Sequence, residues 1–188
     1  VKKLSVFIPG FIISVSFTQI QQPIDKIYWA TNNPLTWDHF KGSPDTTREY
    51  AAATDCHIDM NYNSRKDTLY VRVETYSTTF DSWIKPKYKT IELLKHEQLH
   101  FDVAELFARK LRKTILELRI QKKDAQNALQ AIEAANTNAY RKYQDLYDSE
   151  TDHNLIKKKQ EEWEKKITSE LKAYEAYSNP DLRIILLK

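Results

Sequence analysis

The chain has 188 residues, 41% hydrophobic and 29% charged, with a formal net charge of +3. That is enough for one domain with its own core, and the charge is too balanced, with no basic stripe on one face, to point to nucleic acid. The single cysteine excludes an intrachain disulfide and a cysteine-based zinc site.

The first residues, VKKLSVFIPGFIISVSF, join two lysines to an apolar run from Leu4 to Phe17 and contain the small-x-small pattern Ser14-Val15-Ser16. The run is shorter than the roughly 20 residues of a membrane span. It reads as a signal peptide over residues 1–19, which predicts export to the periplasm, the cell surface or the medium, no membrane span in the mature chain, and a single domain over residues 20–188. Next, WATNNPLTWDHFKGSPD is rich in turn formers around a short extended piece from Leu35 to Trp37. Strands are predicted over Tyr50 to Asn61 and Thr68 to Thr79, the second with Leu69, Val71 and Val73 on one side and Tyr70, Arg72 and Glu74 on the other. The polar turn NSRKD makes the pair an antiparallel hairpin, whose edge offers main-chain hydrogen bonds to an extended peptide. Cys56, with His57 beside it, falls on the first strand, and that setting does not favour a nucleophile.

A long helix begins near Thr90 and runs to about Gln121 without glycine or proline, with Leu93, Val103, Phe107, Leu111 and Leu118 at helical spacing. Early in it stands KHEQLHFD. Histidines four apart share a helix face, so His96 and His100 can reach one ion, and Glu97 sits where a general base acts on a metal-activated water. A second helix starts near Asp124 and returns antiparallel through Tyr147. A third covers Leu155 to about Tyr177, and LRIILL reads as a final strand. The expected fold is α+β: a β-rich N-terminal half with a hairpin, a long motif helix, a helical hairpin and a third C-terminal helix.

Catalytic zinc wants three protein ligands and an open position. At 100° per residue, Asp102 lies roughly 140° and Glu105 roughly 160° around the helix from the histidine face, so neither is the third ligand. If the chain turns back between residues 122 and 127, His153 comes level with His96 and His100. Asp148, Glu150 and Asp152, in the same stretch, are rival ligands.

LTWDHFKG, AAAT, HEQLHFDVAELFARKLR and YDSETDHN, followed by Gln160 and Trp163, together resemble a bacterial family of predicted secreted zinc-dependent proteases of the zincin type. Glycine is common in that family where this chain has Leu99 and Asn154. The resemblance implies export, zinc and proteolysis, and favours His153 as the third ligand. The expectation is a secreted zinc metalloprotease acting on a protein or peptide substrate, with His96, His100 and His153 holding Zn2+ and Glu97 as catalytic base. Tyr147 and Tyr143 are candidates to stabilise the oxyanion, although Tyr140, Tyr143 and Tyr147 also have the spacing of a packing stripe. Two other classes compete: a non-catalytic interaction protein of the cell envelope with a structural metal or none, and a metal-dependent amidase acting on cell-wall material.

Overall fold

The computed structural model describes residues 25–187. The expected signal peptide lies outside these residues. Among them, no helix is long and apolar enough to cross a membrane.

The fold is α+β. In chain order it comprises β1 (Lys26–Tyr28), β2 (Ala52–Ala53), β3 (Cys56–Arg65), β4 (Thr68–Thr78), β5 (Trp83–Ile84), α1 (Ile91–Leu116), α2 (Ala125–Thr151), α3 (Lys157–Ala173) and β6 (Asp181–Ile185). β3 and β4 form the predicted hairpin, with Arg65 opposite Thr68 across a two-residue turn in which Lys66 takes φ 55°. β4 is the long central strand, flanked by β3 on one side and by β1 and β6 on the other, all antiparallel. Its alternation holds: Leu69, Val71 and Val73 are buried, while Tyr70 faces outward. Leu182 and Ile184 of β6 join the same buried face, against Leu111 and Ile115 of α1 and Leu129 of α2.

Between Leu35 and Trp37 there is no strand. Trp37–His39 is instead a single 3-10 turn, because the Thr36 N–H donates to His39 Nδ1 at 3.1 Å and curls the segment.

α1 is the hub. Its N-cap is Thr90, whose side-chain oxygen accepts from the Leu93 N–H at 3.1 Å. Buried residues occur on every side of it, as in a helix enclosed by the rest of the domain. Leu99, Val103, Leu106 and Phe107 pack against Tyr147 of α2 and Trp163 and Ile167 of α3, while Leu93 and Phe101 meet Leu35, Phe40, Ala52 and Ile84. Leu99, where glycine is common in the resembled family, is thus a core residue.

One buried ionic cluster fixes the axial position of α1 against the sheet. Glu105 accepts from Arg109 Nε at 2.9 Å, Arg112 Nη1 at 2.8 Å and Thr75 Oγ1 at 2.9 Å. Arg112 also donates to the Val73 carbonyl of β4 and to the Tyr177 carbonyl beyond α3. Asp102 accepts from Trp29 Nε1 and Gln98 Nε2, both at 2.8 Å. Both acids point away from the histidine face, as helix geometry requires.

Removing one partner of a buried charge cluster leaves the others uncompensated. Glu105→Ala is expected to destabilise the domain by about 3–5 kcal/mol, read as a lower denaturation midpoint with an unchanged slope.

Candidate metal centre

His96 and His100 stand on the second and third turns of α1. The helix that crosses them, α2, is a turn longer than the sequence suggests: it continues through Asp148 to Thr151, whose hydroxyl bonds back to the Tyr147 carbonyl at 2.8 Å. Asp148 is therefore a helical residue, four positions after Gln144 and eight after Tyr140, so all three line one face. The helix ends in three successive left-handed residues, Asp152, His153 and Asn154 (φ 47°, 49° and 77°). Asp and Asn tolerate that region best after glycine, which accounts for the glycine common at position 154 in the resembled family.

Three ligand atoms converge where α1 and α2 meet. His96 Nε2 and His100 Nε2 are 3.1 Å apart, and Asp148 Oδ1 lies 3.2 and 3.0 Å from them. Among the described residues this is the group of His, Cys, Asp and Glu side chains able to hold a metal ion. Asp148 Oδ1 is buried, and although it lies at ion-pair distance from both rings it accepts no directed hydrogen bond.

Two glutamines show what these atoms offer each other. Gln144 Nε2 donates to the His100 carbonyl at 3.0 Å and to Tyr140 Oη at 2.9 Å, so its Oε1 is the atom 2.7 Å from His100 Nδ1. Gln160 Nε2 donates to Glu164 at 3.2 Å, so its Oε1, which also accepts from the Tyr147 hydroxyl at 2.8 Å, faces His96 Nδ1 at 3.1 Å. An amide oxygen only accepts, so each Nδ1 carries a hydrogen and each neutral ring presents its Nε2 lone pair to the centre. Two lone pairs and a carboxylate oxygen within 3.2 Å of one another need a positive charge between them. With zinc bonds of about 2.0–2.1 Å, tetrahedral ligands stand roughly 3.3–3.4 Å apart, a few tenths of an ångström from the observed separations. The donor set fits a divalent metal.

A proton competes for the same place. Burial alone would lower the pKa of His100, but the facing Asp148 carboxylate, with Glu97 and Gln144, carries it up to about 9. Burial would likewise raise the pKa of Asp148, but the facing His100 and His96 hold it well below the usual carboxylate range.

His153 does not enter the convergent triangle. Its Nδ1 lies 3.4 Å from Asp148 Oδ1, and its half-exposed ring stacks on Tyr50, which stacks in turn on Trp83. The extra turn of α2 is the reason, since it puts Asp148 level with the motif histidines and leaves His153 just past the helix end. Glu150 is elsewhere, accepting from Trp163 Nε1 at 2.9 Å.

Glu97 is buried against the edge of the cleft. Its Oε2 accepts from Thr54 Oγ1 at 2.7 Å, and its Oε1 has no hydrogen bond among the described residues. The cleft, about 310 Å³, has the motif face of α1 as its floor and the Tyr140, Gln144 and Asp148 face of α2 as one wall. The other wall is the segment from Tyr50 to Cys56. Within it, among the described residues, β2 is paired only with β5.

Neither expected oxyanion residue faces this cleft. Tyr147 is fully buried, stacked on His96 at 4.7 Å, and its hydroxyl is taken up by Gln160. Tyr143 donates to Glu170 Oε1 at 2.8 Å. The tyrosine spacing in the sequence is 140, 143 and 147, whereas the cleft face is 140, 144 and 148. Cys56 lines the cleft, but burial, with Glu97, Asp55 and Asp102 nearby, pushes its thiol pKa well up, away from a nucleophilic thiolate. His57 is engaged with Asp55 at 2.6 Å and stacks on Tyr76.

In this α+β domain the histidine-bearing helix meets a carboxylate from a returning helix, and together they form a group that could hold a metal ion. A family model described as a bacterial protein of unknown function, DUF922, matches residues 37–154, and the chain belongs to that family. The match covers His96, Glu97, His100, Asp148 and His153. No curated protein and no solved structure matches the chain.

A metal must displace the His100 proton, which is held up to pH about 9 in the metal-free protein. Zinc binding at pH 7 should therefore release about one proton, and apparent affinity should rise about tenfold per pH unit from 7 towards 9 before levelling. Calorimetric titration in buffers of different ionisation enthalpy checks this; affinity independent of pH over that range would contradict it. The same shift makes the His100–Asp148 pair a source of metal-free stability that is full below pH 6.5 and is lost as pH rises through about 9.

Proposed function

We propose that this protein is a zinc-dependent metallopeptidase of the zincin type, exported from a bacterial cell. The observation that carries the reading is the placement of Glu97: a buried carboxylate in the cleft, next to His96, anchored by Thr54 through one oxygen and free at the other. A structural metal site has no use for a base aimed into its open side, which counts against the interaction-protein reading.

His96, His100 and Asp148 would hold the ion, with His153 beside Asp148 at the rim. When bound there, the ion acidifies a water and polarises a carbonyl. The chain's own residues do the rest. Gln160 and Gln144 keep both imidazoles in the ligating tautomer. Thr54 holds one oxygen of Glu97, so the other takes a proton from the attacking water and passes it to the leaving amine. The Tyr50–Cys56 wall presents a strand edge to an extended chain, which supports a peptide substrate over a compact one. A metal amidase acting on cell-wall material would use the same centre, and that edge is what favours peptides.

Glu97→Gln is expected to lower peptide hydrolysis by at least a hundredfold, the loss of a general base, and to leave zinc content unchanged. Product analysis by mass spectrometry on the zinc-loaded variant tests this; turnover close to that of the wild type would remove Glu97 from the role.

A further inference from the structure

Tyr140 stands at the far end of the α2 wall from Asp148, eight residues or roughly 12 Å along the helix. Its ring packs edge-on against Phe107, with centroids 5.8 Å apart. Its oxygen accepts from Gln144 Nε2 at 2.9 Å. Gln144 is saturated: Nε2 gives its other hydrogen to the His100 carbonyl, and Oε1 takes the His100 Nδ1 hydrogen. The Tyr140 oxygen is thus oriented by a group that is itself locked to the motif helix. Its own O–H has no acceptor among the described residues, although the residue lines the cleft. Burial, with Cys56 and Asp55 nearby, raises the phenol's pKa, which keeps it a donor.

A directed, unspent donor on the wall opposite a strand edge suits a main-chain carbonyl of a peptide lying between the two. The Tyr140 oxygen is held at the Gln144 amide, one helical turn or roughly 6 Å from Asp148, and an extended peptide advances about 3.3 Å per residue, so this donor falls roughly two residues from the bond held at the centre. We propose that Tyr140 anchors the substrate backbone by donating its hydroxyl hydrogen to a carbonyl about two residues from the scissile bond, and so sets a minimum substrate length on that side. This rests on the metallopeptidase reading above. Tyr140 takes no part in the bond-breaking step. It contributes binding, and through Gln144 it shares a hydrogen-bond chain with the ligand His100.

The test uses zinc-loaded wild type and Tyr140→Phe, first on a proteome-derived peptide library to locate cuts, then on synthetic peptides shortened residue by residue on each side of one cut. The expected result is unchanged zinc content, melting temperature and kcat in Tyr140→Phe. KM should rise roughly three- to tenfold, the loss of one hydrogen bond, for peptides reaching two or more residues on one side of the cut. For peptides shorter on that side the two proteins should have equal KM. Equal KM at every length, or a kcat loss that ignores length, overturns the role of Tyr140 and leaves the peptidase reading standing. Loss of zinc or of fold in Tyr140→Phe shows the hydroxyl to be structural and also overturns it. No cut by the wild type anywhere in the library overturns the peptidase reading itself, and this proposal with it.

Discussion

Each imidazole of the motif helix gives its Nδ1 hydrogen to a glutamine amide, and those two hydrogen bonds decide what the centre can be. With Nδ1 occupied, both Nε2 lone pairs must face inward, where Asp148 Oδ1 already carries negative charge. Such a triangle of acceptors is held together by a proton or by a cation, and the facing carboxylate accordingly pushes the pKa of His100 up to about 9. Glutamine in this position is neutral, so the negative charge of the site comes from Asp148 rather than from the outer hydrogen-bond partners. The remainder of the domain serves to keep α1, α2 and the start of α3 at the spacing that makes this triangle.

Two separate devices do so. Near the centre, aromatic rings set the distance: Tyr147 stacks on His96 and meets His100 edge-on at 4.8 Å, with Trp163 behind it. Further along α1, the Glu105, Arg109 and Arg112 cluster ties the helix to the Val73 carbonyl of the central strand and to the Tyr177 carbonyl beyond α3. The first device excludes water from one side of the ligands. The second stops the helix from sliding along the sheet, which would move His96 and Glu97 relative to Thr54. Both follow from residues whose side chains point in opposite directions from one helix, which explains why α1 has so few exposed positions along its middle.

Much of this was legible in the sequence because it rests on local periodicity. The alternation of β4, the extent of the motif helix to within a few residues, the polar junction before Asp124 and the pairing of His96 with His100 all follow from spacing alone. The end of α2 was not legible. Asp148, Ser149 and Thr151 are poor helix formers and the stretch reads as a break, yet packing of Tyr147 and the back-bonded Thr151 hydroxyl carry the helix on for another turn. That turn decides which side chain comes level with the histidines. The same misreading hid the face shared by Tyr140, Gln144 and Asp148, since a helix ending near Tyr147 offers only two of the three. The 3-10 turn at Trp37–His39 was missed for a similar reason: the bond from the Thr36 N–H to the His39 ring replaces the strand pairing that the local composition suggests.

The measurement closest to the centre of this account is metal content, by elemental mass spectrometry, of the chain without residues 1–19, compared with its Asp148→Ala and His153→Ala variants after zinc reconstitution. The account predicts about one zinc per chain in the unaltered protein, loss of that zinc in Asp148→Ala, and retention of most of it in His153→Ala. Zinc lost from His153→Ala but kept by Asp148→Ala would contradict it and make His153 the third ligand. No zinc in the unaltered protein would contradict the metal centre altogether.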